Sequence, residues 1–212
     1  MGTLSVTQPQ AFLLTGTTWE NYQSLLAIVG ERPIRVTYDR GNLELVSPSF
    51  NHERLKKRLA RIVAALTEEL DLALVAAGST TLKRQDLDRG LQPDECFYIQ
   101  SAEAVAGKTQ VSLPDEPAPD LVIEIDVTSS SLDRLGVYAA MGVPEVWRYR
   151  NGSLIAYCLD PAKIAYQEIE YSAAFSFLNL SELAQFLQQH SEENDTALVK
   201  AFRFWLRERL LP

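Results

Sequence analysis

The sequence contains few of the residues that bind soft metal ions or cross-link secreted proteins. Its 212 residues include only two cysteines and two histidines. Cys96 and Cys158 lie far apart within apolar and aromatic runs, which indicates buried thiols and not a disulfide framework. Together with His52 and His190 they lack the spacing of a structural zinc site. We therefore expect a cytoplasmic protein in which oxygen ligands hold any metal ion.

Long hydrophobic runs and several common catalytic signatures are also absent. Apolar runs such as Leu121–Ile125 are far shorter than the ~20 residues of a membrane span. The chain lacks the Gly-x-Ser-x-Gly elbow of serine hydrolases and the glycine-rich loop that precedes a phosphate-binding helix. We expect no membrane partner, no nucleotide-binding fold and no hydrolase triad.

The chain is short of positive charge. Lys and Arg total 20 against 28 Asp and Glu, which gives a net charge of −8. A general attraction to nucleic acid is therefore absent, and any polyanion must bind at a local basic patch. With 46% hydrophobic and 23% charged residues the composition is that of a globular protein. The length favours one α/β domain over residues 1–212, with a core at about 34–170 and a C-terminal helical tail at about 181–212.

Hydrophobic periodicity predicts a mixture of helices and strands. A helical stripe from Thr18, with Thr17 or Thr18 as the cap and Gly30 as the stop, predicts a first helix. Alternating runs on either side of Gly41 predict a β-hairpin. A long amphipathic helix is expected from about 51 to 70. Further strands are predicted at 72–82, 95–99, 121–127, 146–149, 154–159 and 164–169, a loop at 87–92, and helices at 131–141, 181–190 and 195–211.

The first half of the long helix is basic. Its cationic residues are Arg54, Lys56, Lys57, Arg58 and Arg61. A run of this kind can contact phosphate groups, but it is also typical of a solvated helix face. The sequence leaves both interpretations open.

Acidic residues alternate with apolar ones on the strand at 121–127. Leu121, Ile123, Ile125 and Val127 share one face, and Asp120, Glu124 and Asp126 share the other. Carboxylates placed side by side on such a strand repel each other and lose hydration unless a cation compensates them. The alternative is an edge strand whose polar face is wet.

A further carboxylate, Asp94, follows Pro93 at the start of the preceding strand. A Pro-Asp pair by itself is a common turn. Mg²⁺, however, is usually bound by one or two carboxylates together with water and substrate phosphate. An aspartate on one strand and a Glu-x-Asp on its neighbour therefore favour metal-dependent phosphodiester hydrolysis.

Several motifs in a fixed order resemble one known family. They are Tyr38–Pro48 followed by His52, then Gln92–Asp94, Ala118–Glu124, Tyr138 and Gly142–Trp147. Their order and spacing resemble the Uma2 family of predicted restriction endonucleases, within the PD-(D/E)XK nuclease superfamily, over nearly the whole chain. The resemblance implies an α/β, restriction-endonuclease-like fold, with a mixed sheet flanked by helices, an N-terminal β-hairpin and C-terminal helices.

The resemblance also implies metal ligands. Asp94 and Glu124 take the two acidic positions of the superfamily motif and would bind Mg²⁺ or Mn²⁺. Glu53 matches the auxiliary carboxylate of the first long helix, although Glu53 and Lys57 would also form an ordinary i, i+4 pair. Asp126 stands where the superfamily has lysine, and it would either add a metal ligand or repel the phosphate.

In this family the lysine often lies in the next helix, four residues before the tyrosine, and that position is Arg134. Arginine keeps the positive charge but cannot give up a proton near neutral pH. Tyr138, one turn further along, either supports Arg134 or belongs to the core. His52 is either a residue of the helix start or the partner of a carboxylate.

Two functions follow from the sequence. The first is a Mg²⁺-dependent DNA endonuclease with Asp94, Glu124, Arg134 and Glu53 as catalytic residues and no cofactor other than the metal. The second is a nuclease-fold protein that does not cut and serves as a nucleic-acid-binding or assembly module. The aromatic tail, with Phe202, Phe204 and Trp205, either forms a homodimer interface or packs on its own core.

Overall fold

A computed structural model describes residues 11–126 and 131–210. The helices in this part of the chain are α1 (Trp19–Val29), α2 (Phe50–Glu69), α3 (Ala102–Val105), α4 (Arg134–Met141), α5 (Leu180–Gln189) and α6 (Asp195–Leu210). The strands are β1 (Ala11–Thr15), β2 (Arg35–Asp39), β3 (Asn42–Val46), β4 (Val75–Gly78), β5 (Leu82–Arg84), β6 (Arg89–Leu91), β7 (Glu95–Tyr98), β8 (Leu121–Ile125), β9 (Glu145–Arg150), β10 (Ser153–Asp160) and β11 (Ala165–Ile169). None of these helices is both long and apolar enough to cross a bilayer.

The strands form two sheets. A five-stranded antiparallel sheet has the order β1-β3-β2-β6-β5, and a six-stranded sheet has the order β11-β10-β9-β8-β7-β4. Only the β8–β9 pair of the described strands is parallel. Parallel neighbours require a crossover, and α4 lies on the connection between these two strands. The predicted mixed sheet with flanking helices is confirmed.

The central strand β8 divides its side chains between two packed layers, as its alternation predicted. Leu121, Ile123 and Ile125 belong to the main core beneath α2, α5 and α6. Val122 packs in a second cluster with residues of α4, so Glu124 also faces the α4 side of the sheet. Val127, expected on the face of Leu121, lies outside the described residues.

Local signals located both ends of α1, whereas the expected caps Ser181 and Asp195 are wrong, because Asn179 and Asn194 accept from the first N–H groups of α5 and α6. The Thr18 side chain accepts a hydrogen bond from the backbone N–H of Asn21, and α1 ends at Gly30 as predicted. The β2–β3 hairpin also matches its prediction. The strand expected at 72–82 is wrong, because the chain turns at Gly78, where φ is +60°, and divides into β4 and β5.

The loop expected at 87–92 contains the strand β6. Its three residues pair with both β2 and β5, so partners distant in sequence determine this strand. Gly90 is required there, since a Cβ would lie 2.2 Å from Tyr22 Oη. Strand β1 and the short helix α3 were also not predicted, and all five residues of β1 are exposed at a sheet edge.

The C-terminal helices pack on the main core. Phe202 is fully buried and stacks on Trp205 with ring centroids 5.5 Å apart, while Phe204 is 66% exposed. Two of the three tail aromatics therefore pack within their own chain. A homodimer stays a prediction.

The basic residues of α2 have several different partners. Arg58 is buried and contacts Asp195 Oδ1 at 2.9 Å and the Ser191 carbonyl oxygen at 2.9 Å, so it ties α2 to the start of α6. Lys57 pairs with Glu95 at 2.8 Å and not with Glu53, so the expected i, i+4 pair is wrong. The run is therefore neither a uniform phosphate surface nor a uniform solvated face.

Replacing Arg58 with methionine is expected to lower the free energy of unfolding by about 3 kcal/mol, because Asp195 and two loop carbonyl groups lose a buried partner. Urea denaturation would measure this loss. Arg61→Met is the control, since Arg61 is exposed on the same helix and forms no ion pair with a described residue. Equal stability of the two variants would contradict the structural role of Arg58.

Candidate active site

The two predicted motif carboxylates lie side by side on the α4 side of the six-stranded sheet. Asp94 directly precedes β7 and Glu124 is on the neighbouring strand β8. Both are buried, with 3% and 6% exposure. The backbone N–H of Ile125 donates to Asp94 Oδ2 at 2.6 Å, so Asp94 contacts the residue that follows Glu124. Residues 31 apart in the chain thus meet at one point of the sheet.

Two cationic or polar side chains hold Asp94. Arg35, at the start of β2, contacts Asp94 Oδ1 at 2.5 Å, and His52 Nε2 lies 3.1 Å from Oδ2. Burial would raise the pKa of Asp94, but the hydrogen bond from His52 and the charge of Arg35 outweigh it and lower this pKa below its usual value. Asp94 is therefore an anion at neutral pH.

Glu53 joins the same cluster without touching Asp94. Its Oε1 lies 3.2 Å from His52 Nδ1 and 3.5 Å from Arg35 Nη2, and its Oε2 lies 3.3 Å from Lys56 Nζ. Burial would raise the pKa of Glu53, but the charges of Lys56 and Arg35 lower it overall. His52 is thus the partner of two carboxylates, one of the two roles that the sequence allowed.

Arg134 and Tyr138 hold Glu124 from the first turns of α4. Arg134 Nη2 lies 2.6 Å from Glu124 Oε1, and the Tyr138 hydroxyl donates to the same oxygen. Arg134 Nη2 also donates to the Gln92 carbonyl oxygen at 2.8 Å, and its Nη1 to Thr37 Oγ1. Tyr138 therefore supports Arg134 and is also fully buried in the core.

Burial raises the pKa of Glu124. The charge of Arg134 opposes this shift and the charge of Asp94 adds to it, so the pKa stays above its usual value. The two buried carboxyl groups of Asp94 and Glu124 repel each other when both are charged, and a bound cation would relieve this repulsion.

Asp126 has a different partner. Its carboxylate is paired with Arg148, which stands opposite Glu124 in the parallel β8–β9 ladder. No contact joins Asp126 to Asp94 or to Glu124 within the described residues. A role for Asp126 as a metal ligand would first require its ion pair with Arg148 to open.

The carboxylate oxygens of Asp94 and Glu124 suit a hard cation that takes two ligands from the protein. Every hydrogen bond from a described residue to Glu124 ends on Oε1, so Oε2 keeps its lone pairs. Asp94 Oδ1 is engaged only by Arg35 among side chains of the described chain. No group of three or more His, Cys, Asp or Glu residues in this part of the chain has the arrangement of a metal site, so the protein would supply two ligands. Mg²⁺ commonly takes one or two carboxylates and completes its shell with water and phosphate, and Asp94 and Glu124 fit this pattern.

A polar groove of about 650 Å³ is lined by residues that include Arg35, Glu53, Lys56 and Gln92. Asp94 and Glu124 do not line it. Arg35 connects the groove to Asp94, because it lines the groove and also contacts Asp94 Oδ1.

Arg35 and Glu44 are functional-site residues that the sequence does not single out. Arg35 occupies only a polar position of an alternating strand, and its contact with the Pro93 carbonyl group spans 58 residues. Glu44 is fully buried and accepts a hydrogen bond from the Ser131 N–H at 2.6 Å. Its alternation with Leu43 and Leu45 was the available signal that it leaves the apolar face of the hairpin.

Comparisons with known proteins agree with this fold. A putative nuclease belonging to DUF820 from Anabaena variabilis ATCC 29413 has a similar structure, with a TM-score of 0.52 and 14% sequence identity over 77% of this chain and 95% of that chain. No curated protein matches the chain. The model of the Uma2 family, described as "Putative restriction endonuclease", matches residues 19–207. The chain belongs to the Uma2 family.

Proposed function

We propose that the protein is a Mg²⁺-dependent endonuclease that hydrolyses DNA phosphodiester bonds. The observation that carries this proposal is the buried, adjacent pair of Asp94 and Glu124, with the guanidinium group of Arg134 on Glu124. The family description and the structural neighbour both support a nuclease. The requirement for Mg²⁺ rests on the oxygen-only donor set.

Asp94 and Glu124 would hold the metal through Asp94 Oδ1 and Glu124 Oε2. A bound Mg²⁺ ion would supply Lewis acidity and make an attacking water easier to deprotonate. Arg35, which contacts Asp94 Oδ1, would have to release this oxygen, while its contacts with Glu53 and the Pro93 carbonyl group could remain. Asp126 would become a third ligand only after Arg148 leaves it.

Arg134 stabilises the negative charge that develops on the phosphate during attack. Its hydrogen bonds to Gln92 and Thr37 fix the guanidinium group before the substrate arrives, so little reorganisation is needed. Arginine does not serve as the general base, because it stays protonated. Glu53 positions His52 and Arg35, which in turn position Asp94.

A second function is a nuclease-fold module that binds without cutting. The observation that favours it is that each motif carboxylate already has an arginine partner, Arg35 for Asp94 and Arg134 for Glu124. In such a protein the ion pairs would be permanent. Mg²⁺ would then not raise the melting temperature, because a ligand stabilises a protein only when it binds the native state.

We expect the purified protein to cleave plasmid DNA in the presence of Mg²⁺ or Mn²⁺ and to stop when EDTA is added. Gel electrophoresis of plasmid and of labelled RNA would measure cleavage and compare the two nucleic acids. A Glu124→Gln preparation purified in the same way controls for contaminating nucleases. Cleavage that survives EDTA, or that is equal in this variant, would contradict the proposal. No cleavage together with an unchanged melting temperature in Mg²⁺ would favour the second function.

A further inference from the structure

A small pocket lies beside Arg134, between α4 and β9. Its volume is about 160 Å³. It is lined by Asp126, Leu132, Asp133, Arg134, Leu135, Arg148 and Arg150. A cavity of about 150 Å³ holds a ligand of the size of benzene, so the pocket has room for one phosphate group but not for a whole nucleotide.

Three guanidinium groups face two carboxylates in this pocket. Arg148 and Arg150 are two residues apart on β9, so both point to the side of the sheet that carries Glu124. Arg134 closes the pocket from α4 and also contacts Glu124. The pocket is therefore a basic patch in an acidic protein, and Arg134 links it to the proposed catalytic carboxylate Glu124.

The two acidic groups of the pocket are already engaged. Asp126 accepts from Arg148, and Asp133 caps α4 by accepting from the Gly136 N–H at 3.0 Å. Arg148 has donors left after one contact, since a guanidinium group carries five N–H bonds. Arg150 is exposed and forms no ion pair with any described residue.

Arg134, which lines the pocket, carries one donor without an acceptor. Its Nε is buried and has no hydrogen-bond partner in the described chain. An unsatisfied buried donor destabilises a protein unless a ligand or water supplies an acceptor. An anion with several acceptor oxygens would satisfy it together with the free donors of Arg148 and Arg150.

We infer that this pocket binds a phosphate group of the nucleic-acid backbone next to the scissile phosphate. The inference rests on the proposed nuclease function for its choice of polymer. Asp126, which replaces the motif lysine, then has a defined task, because it holds Arg148 on the same face as Glu124. The positive charge that the strand β8 lacks is supplied by the neighbouring strand β9.

The test is the salt dependence of DNA binding in an Asp94→Asn background, which prevents cleavage. Fluorescence anisotropy of a labelled duplex gives the slope of log K against log salt concentration. Arg150→Gln and Arg148→Gln are each expected to reduce the magnitude of this slope by about one, because each removes one phosphate contact. Arg61→Gln is the matched control, since it removes the same charge from an exposed site on α2 and should leave the slope unchanged.

Arg150→Gln decides the outcome, because Arg150 forms no ion pair with a described residue and its replacement leaves the Asp126–Arg148 pair intact. If Arg150→Gln gives the same slope as Arg61→Gln, the pocket does not bind a backbone phosphate, even if the wild type cuts DNA. A reduced slope in a protein that cuts nothing would support the pocket and contradict the endonuclease. If neither the Asp94→Asn protein nor any further variant binds DNA, the pocket is not a nucleic-acid-binding site.

Discussion

Replacing Asp94 with asparagine is expected to reduce DNA cleavage by about a thousandfold or more. The change removes one of two carboxylates proposed to hold the metal, and metal ions supply several kcal/mol of transition-state stabilisation. Each 1.36 kcal/mol corresponds to a factor of ten in rate, so a loss of about 4 kcal/mol gives this effect. Initial rates of plasmid cleavage, measured over a range of Mg²⁺ concentrations, would check it.

The same substitution also affects folding, because Asp94 is buried between Arg35 and His52. Removing one partner of a buried ion pair destabilises a protein by roughly 3–5 kcal/mol, and an asparagine oxygen recovers part of this loss. Circular dichroism and urea denaturation would show whether Asp94→Asn is still folded at the assay temperature. The prediction concerns the rate of the folded variant.

Asp120→Asn is the matched control for this loss of stability. Asp120 precedes β8 and its Oδ2 accepts from the Ile99 N–H at 2.7 Å and the Ser101 N–H at 2.9 Å, away from the carboxylate cluster. We expect this variant to lose stability but to keep cleaving DNA. Calorimetric titration of Mg²⁺ into the protein without DNA should give binding heat in Asp120→Asn and none in Asp94→Asn. Equal cleavage by the two variants would contradict the proposed role of Asp94 as a metal ligand.

The parts of the fold that the sequence predicted are those that local residues determine. The cap at Thr18, the glycine at the hairpin turn and the alternation along β8 are all properties of a few neighbouring residues. Strand β6 is different, because its three residues include Gly90 and are extended only through pairing with β2 and β5. A short strand of this kind has no periodicity to detect.

The residues of the candidate site also fall into two groups, those that the sequence predicts and those whose role depends on contacts between distant parts of the chain. Asp94, Glu124 and Arg134 lie in motifs that can be read along the chain, and the structure places them in one cluster. Arg35 has no such motif, because its role comes from a contact between β2 and the residue before β7. The ion pair of Asp126 with Arg148 likewise depends on the register of two parallel strands, which the sequence does not give.

Replacing Arg134 with methionine is expected to reduce cleavage by about a hundredfold to a thousandfold, while lysine at this position should keep most of the activity. A preorganised donor aimed at developing negative charge contributes an effect of this size. Lysine retains the charge next to Glu124, whereas methionine removes it. Arg89→Met is the matched control, because Arg89 pairs with Asp39 at 2.8 Å and touches α4 without contacting the carboxylate cluster.

The pH dependence of Arg134→Lys shows whether the side chain at position 134 acts through its positive charge or as a general base. Burial would lower the pKa of Arg134, but the charge of Glu124 outweighs it and raises this pKa above its usual value, so the wild type keeps its cation at alkaline pH. Lysine has a usual pKa of about 10.4, and its charged form is present below its pKa and lost above it. If the cation matters, the rate of Arg134→Lys relative to wild type falls as the pH rises towards about 10. A relative rate that rises with pH would instead show that a neutral amine acts as the base, and a methionine variant as fast as wild type would exclude both roles.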